Sequence, residues 1–247
     1  MTSFTSFPPS LRRALVALPM IGALAACDPE YGVEETRQTT ATQRVAELRH
    51  ELRTDPGDVD ALRQMGKIYA DQGLWVESMG AYREALIVAP GDRLLMLGYG
   101  RGQLAVGDYA GAYKSAQSAG GGDVEVMLLR SGALAGMNRL TEARTELTTA
   151  QQIAPRDLDV RSNLALVAAL QGDATAYAIG RAVAFAPDAE YSHIRNMVLV
   201  GGITGNDASA RNDAERRGLD PAEIGDILAV GRRARTQGMR AFTVLTN

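Results

Sequence analysis

Apolar residues along this chain recur three and four apart, in runs broken at regular distances by proline, glycine and aspartate. Val45, Leu48 and Leu52 stand at helical spacing just before Pro56, and Ile224, Ile227 and Leu228 share one side of a run opened by Pro221. That period predicts amphipathic helices and no strands. The breaks are themselves periodic: Pro56, Pro90, Pro155, Pro187 and Pro221 fall at intervals of 34, 65, 32 and 34 residues. The interval of 65 reads as two units, with Val124 where a proline would stand. A proline ends one helix and presets the turn into the next, so its spacing measures out a helix pair.

The first full unit carries Leu62, Met65-Gly66, Tyr69, Ser78, Tyr82, Ala85 and Pro90. These occupy the places of W-x₂-L-G-x₂-Y…A-x₃-F…P, and the unit resembles a tetratricopeptide repeat. Small residues at Gly66 and Ser78 let two helix backbones approach closely. The larger side chains at Leu62, Tyr69 and Tyr82 fill the space around that contact. Later units stay in phase: Gly100, Gly107-Asp108-Tyr109 and Ala112; Ala143, Leu147, Ala150 and Pro155; Leu164-Ala165, Gly172-Asp173 and Pro187. Unit two has a shortened second helix ended by Gly120-Gly121-Gly122. RSNLALVAALQGDATA from Arg161 is echoed 34 residues on by RNMVLVGGITGNDASA from Arg195.

The resemblance implies an all-α, right-handed superhelical solenoid of about five helix pairs over residues 41–240. Helical caps are expected at both ends. Thr42 to Arg53 reads as a lone second helix. Asp220-Pro221-Ala222-Glu223 opens the terminal cap, with an aspartate N-cap, a proline in the first turn and a glutamate three residues on. Residues 241–247 are expected to be a frayed tail.

The first 26 residues follow a different logic. Arg12 and Arg13 flank an apolar stretch from Ala14 to Ala26, too short for a membrane span of roughly 20 apolar residues. It closes on Leu24-Ala25-Ala26-Cys27, which resembles the lipobox of bacterial lipoproteins. The resemblance implies cleavage before Cys27 and its acylation. An ordinary secretory signal with a chance cysteine is the competing reading. Residues 27–40 are polar and read as a flexible tether. Cys27 is the only cysteine, so no disulfide can form within the chain.

Composition narrows function chiefly by exclusion. The formal net charge is −3 and lysine occurs only at Lys67 and Lys114. No dense cationic run is present to neutralise phosphates, so nucleic acid is not an expected partner. His50 and His193 lie far apart, and no zinc-ligand spacing, C-x-x-C pair, P-loop or nucleophile elbow occurs. The expectation is a protein that is not an enzyme, with no cofactor, metal or small-molecule substrate.

In tetratricopeptide stacks the concave wall is lined by the second, fifth, ninth and twelfth places of each first helix. Those places here hold Asp60, Arg63 and Lys67 in unit one, and Leu94, Leu97, Arg101 and Leu104 in unit two. Units three to five supply Glu125 and Leu128; Asp159, Ser162 and Leu166; and His193, Asn196 and Val200. The wall is then charged at its N-terminal end and apolar in the middle. Arg63, Lys67, Leu94, Leu97, Arg101, Leu104, Leu128 and Leu166 become the candidate groove for a docked helix or peptide. Packing of those leucines against irregular neighbours is the competing reading.

A narrower resemblance rests on the lipobox, the acidic tether, Asn163-Leu164-Ala165-Leu166 before Gly172-Asp173, and Arg195 to Arg235 with its GLDPAEIGDILAVGRRAR. Together these are similar to the TadD family, lipoproteins of tight-adherence (Flp) pilus assembly. That likeness implies a periplasmic, lipid-anchored factor that places or stabilises the pilus secretin, on the outer membrane in preference to the inner. Asp28 after the cysteine retains lipoproteins in the inner membrane of enteric bacteria, so both membranes stay open. The alternative is a lipid-anchored adaptor of another envelope system: outer-membrane biogenesis, type IV pili or exopolysaccharide export.

Overall fold

The computed structural model describes residues 33–243. Its helices, in chain order, are α1 (Val33–Thr54), α2 (Val59–Asp71), α3 (Trp75–Val88), α4 (Arg93–Ala105), α5 (Tyr109–Ala119), α6 (Val124–Gly136) and α7 (Leu140–Ile153). They continue as α8 (Leu158–Leu170), α9 (Ala176–Ala184), α10 (Tyr191–Thr204), α11 (Asp207–Arg216), α12 (Pro221–Gln237) and α13 (Arg240–Thr243). No strand occurs among these residues. The chain is an all-α tetratricopeptide solenoid: α2/α3, α4/α5, α6/α7, α8/α9 and α10/α11 pack as pairs, and each second helix of the first four also packs on the first helix of the next.

The boundaries have local causes. Asp58, Asp92, Asp123 and Asp157 each stand immediately before a first helix and accept a hydrogen bond from the backbone N–H three residues on. Each satisfies one of the orphan donors of a helix start. Unit five replaces the aspartate with Glu190, whose backbone N–H donates to His193 Nδ1 at 2.9 Å. The tight turns from first to second helix need one residue in the left-handed region. Gly73, Gly107 and Gly172 supply it in units one, two and four, and Asn138 (φ 60°) supplies it in unit three.

Two termini differ from expectation. Helix α1 begins at Val33, so the part of the expected tether from 33 to 40 is helical. That stretch has no apolar period for a sequence reading to detect. A helix already nucleated on packed residues such as Val45 and Leu48 propagates through polar residues without one. At the other end, Ala241 and Phe242 of the expected tail are 2% and 5% exposed. They belong to the core that closes the last units, and α13 docks on α12. The leader at 1–26, Cys27 and the tether residues up to 32 lie outside the described residues, as do 244–247.

Inside the stack, small residues set the helix spacing. Ser78 Oγ donates to the Gly66 carbonyl at 2.8 Å, with Ser78 fully buried, and a β carbon on Gly66 would press on the Tyr82 ring at 3.0 Å. The close approach expected of this pair is therefore real. One continuous buried cluster runs from Leu134 to Phe242, whereas units one and two hold smaller separate clusters. The array is more consolidated toward its C-terminal end, and this decides where a groove remains open.

Candidate partner-binding groove

The face of the first helices that should form the concave wall keeps an exposed leucine only near its N-terminal end. Asp60, Arg63 and Lys67 lie on α2 with exposed side chains. Arg63 pairs with Asp60 at 2.5 Å and Lys67 with Asp71 at 2.9 Å. Leu94, in the first turn of α4, is 52% exposed, a large apolar side chain left in water. Arg101 of α4 reaches across to Glu125 of α6, joining places nine and two of neighbouring units. These surface pairs contribute little stability and fix orientation.

The expected apolar middle of the wall is not a surface. Leu97, Leu104 and Leu166 are 1%, 4% and 3% exposed. The first two belong to a cluster with Ala112, Ala116, Val126, Leu129 and Ala133. Helix α4 explains why. Gly98, Gly100 and Gly102 remove side chains from its flanks, so its neighbours close in. A β carbon on Gly102 would lie 2.4 Å from Met79 Cγ, and one on Gly100 2.8 Å from Leu129 Cδ2. Leu97 and Leu104, on either side of these glycines, are drawn into the interior. Leu128 is part-buried and packs against Met127, Ala150 and Val160. Of the leucines placed in the groove, Leu94 alone keeps half its surface.

Toward the C-terminus polar rungs seal the same face. His193 Nε2 lies 3.1 Å from Asp159 Oδ1, and Asn196 Nδ2 donates to Ser162 Oγ at 3.0 Å, each pair 34 residues apart. Because His193 Nδ1 accepts from the Glu190 N–H, its proton is on Nε2, which donates to Asp159. Ser162, His193 and Val200 are 4%, 4% and 0% exposed. Next to Ser162, Asn163 is 1% exposed and neither of its amide atoms has a partner. Helix α12 then lies along α10 in the same direction: Glu223 accepts from Tyr191 Oη and pairs with Arg195 at 2.8 Å. It occupies the place of a sixth first helix and shuts that end of the wall.

A second constellation, on second helices, escaped the sequence reading. Asp213 of α11 is 3% exposed and accepts from Tyr177 Oη at 2.8 Å and Arg181 Nε at 2.5 Å, both on α9. Desolvation pushes its carboxyl up, but the bonds from Arg181 and Tyr177 outweigh that and hold it below the usual carboxylate range. Burial and the same carboxylate push the Tyr177 hydroxyl well above its ordinary value. The signal in the sequence was only a pair of spacings, 32 and 36, no different from any other repeat distance.

Among the described residues no group of three or more His, Cys, Asp or Glu side chains is placed to hold a metal ion. No described helix is long and apolar enough to cross a membrane.

Comparison with solved structures identifies the fold. A thermophilic tetratricopeptide protein of Thermus thermophilus superposes with a TM-score of 0.61 at 16% identity, over 71% of this chain and 99% of its own. A tetratricopeptide repeat protein of Parabacteroides merdae gives 0.60 at 13% identity, over 96% and 98%. Pseudomonas aeruginosa pilF gives 0.55 at 15% identity, over 95% and 96%. No protein-family model and no curated protein matches the sequence.

Proposed function

We propose that this chain is a lipid-anchored protein-binding scaffold of tight-adherence (Flp) pilus assembly, which helps place or stabilise the secretin. The observation that carries the binding role is the exposure of Leu94 on α4, at a wall position one unit on from the exposed Asp60, Arg63 and Lys67 of α2. A solvated leucine one unit on from exposed charges suits a docked peptide or helix with an apolar anchor and charges of both signs. The pilus role rests on the sequence from Arg195 to Arg235 and on the lipobox-like Leu24 to Cys27. It calls for a tetratricopeptide stack, a fold shared over nearly the whole chain with Pseudomonas aeruginosa pilF.

The mechanism is tethering plus capture. Acyl chains on Cys27 hold the stack at the periplasmic face of a membrane, the outer one in this reading. A single acyl chain binds only marginally, whereas two or more anchor durably. Confinement to that surface raises the effective concentration of a membrane-bound partner.

Two experiments test the reading. Labelling with palmitate should mark the wild type and not Cys27→Ala; an unlabelled wild type removes the anchor. Crosslinked pull-downs from envelope fractions should recover the secretin with wild type and lose it with Leu94→Glu combined with Lys67→Glu. Undiminished recovery by that variant rules out the groove. Recovery of exopolysaccharide-export or outer-membrane-biogenesis components in place of the secretin moves the scaffold to another envelope system.

A further inference from the structure

The outer side of the last two helix pairs carries a charged and aromatic cluster that the groove does not use. Asp213 grips Arg181 through Nε and, at 3.3 Å, Nη2. Those bonds hold the guanidinium in one orientation and leave Nη1 without an acceptor among the described residues. The Arg181 guanidinium carbon stands 4.9 Å from the centroid of the Phe185 ring, and that of Arg217 stands 5.8 Å from it. Phe185 itself is 39% exposed.

Arg216 and Arg217 make no hydrogen bond or ion pair through their side chains among the described residues. Arg217 Nε is buried with no acceptor at all. Arg181 and Arg217 therefore flank a half-open aromatic ring, and the charge of Arg216 acts on the same Asp213 carboxylate that Arg181 grips, on a chain whose formal net charge is −3.

We infer that this cluster is a docking site for a short acidic segment of a protein partner, one carrying an apolar side chain next to its carboxylates. The chemistry follows from what the cluster lacks. A guanidinium partly stripped of water against a ring, and without a counter-ion, gains more on meeting a carboxylate than a fully solvated one does. Arginine's planar fork matches the two oxygens of a carboxylate. The exposed ring between the cations needs an apolar cover, so one ligand must bring both kinds of group within a few ångströms. A peptide does so. A lipid surface would call for a broader apolar face, whereas the large apolar side chains that α9 and its C-cap expose are Ile179 and Phe185. The site lies on second helices, and stands or falls apart from the groove on the first helices.

The test uses the full chain and a fluorescein-labelled synthetic decapeptide of alternating glutamate and leucine, with the lysine–leucine peptide as control. Fluorescence anisotropy should show saturable binding of the acidic peptide alone, weakening as added salt screens the charges. Arg216→Gln combined with Arg217→Gln removes two cations without adding a carboxylate beside Asp213, so the chain should still unfold in one cooperative transition, with at most a modest loss of stability, while binding falls about tenfold. Phe185→Ser should weaken binding as well, and Lys67→Glu, in the groove, should leave it unaltered. Absence of saturation overturns the proposal, and so does equal binding by the double arginine variant. Phosphatidylglycerol vesicles bound as well as the peptide, and lost in that same variant, would assign the site to lipid and also overturn it.

Discussion

Gly202 of α10 and Gly231 of α12 meet backbone to backbone, with no room for a side chain between them. A β carbon on Gly231 would lie 2.7 Å from the Leu199 carbonyl oxygen and 2.8 Å from the Gly202 α carbon. One on Gly202 would lie 2.8 Å from the Leu228 carbonyl oxygen. Main-chain atoms cannot swing aside as a side chain can, so any substituent must push the two helices apart. Gly231→Ala is therefore expected to destabilise by about 1–3 kcal/mol, although alanine favours a helix more than glycine does. On the same helix, a β carbon added at Gly225 meets nothing within 4 Å. Gly225→Ala should stabilise by about 0.5–1 kcal/mol through propensity alone. Urea unfolding of the two variants should shift in opposite directions, and a shared direction would refute the close approach.

Leu94 and Leu97 sit three residues apart on α4 and should respond oppositely to the same change. Leu97 is 1% exposed, and a carboxylate there has no partner, so Leu97→Glu should cost several kcal/mol and lower the melting temperature sharply. Leu94 is 52% exposed, and Leu94→Glu should stay within about 0.5 kcal/mol of wild type. Circular-dichroism melts decide between them. A folded Leu97→Glu protein would return that leucine to the groove.

This contrast marks the limit of what the sequence could reveal. The five helix pairs, the Gly66–Ser78 contact, the glycine stop after α5 and the aspartate and proline that open α12 were all legible, because each rests on local chemistry at fixed spacing. Which of the wall positions stays wet was not. Repeat arithmetic puts Leu94, Leu97, Leu104 and Leu166 on one face, but burial depends on how closely the neighbouring helices approach each first helix. In unit two Gly98 and Gly102 let Tyr82 and Met79 of the preceding second helix close on α4 and Gly100 lets Leu129 of the next first helix do so, and the Gly202–Gly231 contact sets the approach at the end. The Asp213 cluster was hidden for a similar reason: it joins second helices of different units, and no motif announces a pair across that distance. The helical start at Val33 was missed because a polar helix has no hydrophobic period.

Asn138 takes the left-handed turn position that glycine fills in units one, two and four, at φ 60°. Asparagine tolerates that region through its short polar side chain; a β-branched residue does not. Asn138→Gly should leave stability nearly unchanged, whereas Asn138→Val should lose about 1–2 kcal/mol. Thermal unfolding of both checks this, and equal melting temperatures would show that the turn relaxes elsewhere.

Asp213 makes the union of α9 and α11 sensitive to acid, and the sign follows from the direction of its shift. Desolvation alone would raise its carboxyl. The bonds from Arg181 and Tyr177 to the charged form win, and its folded value lies below the ordinary one. A carboxylate depressed by folding stabilises fully above its unfolded pKa, about 3.9, and that contribution is lost as pH falls through the lower folded value. Tyr177→Phe removes one of the donors, so it should cost about 1–2 kcal/mol at pH 7; the folded value moves up toward the unfolded one, and the acid loss becomes smaller and is complete at a higher pH. Asp213→Asn removes the titrating group altogether. Its deficit relative to wild type should be widest at neutral pH and shrink as the wild-type carboxyl becomes protonated. Urea unfolding at about pH 7, 5 and 3 measures that deficit, and a deficit that stayed constant across the three would mean that the charge on Asp213 does not hold the two helices together.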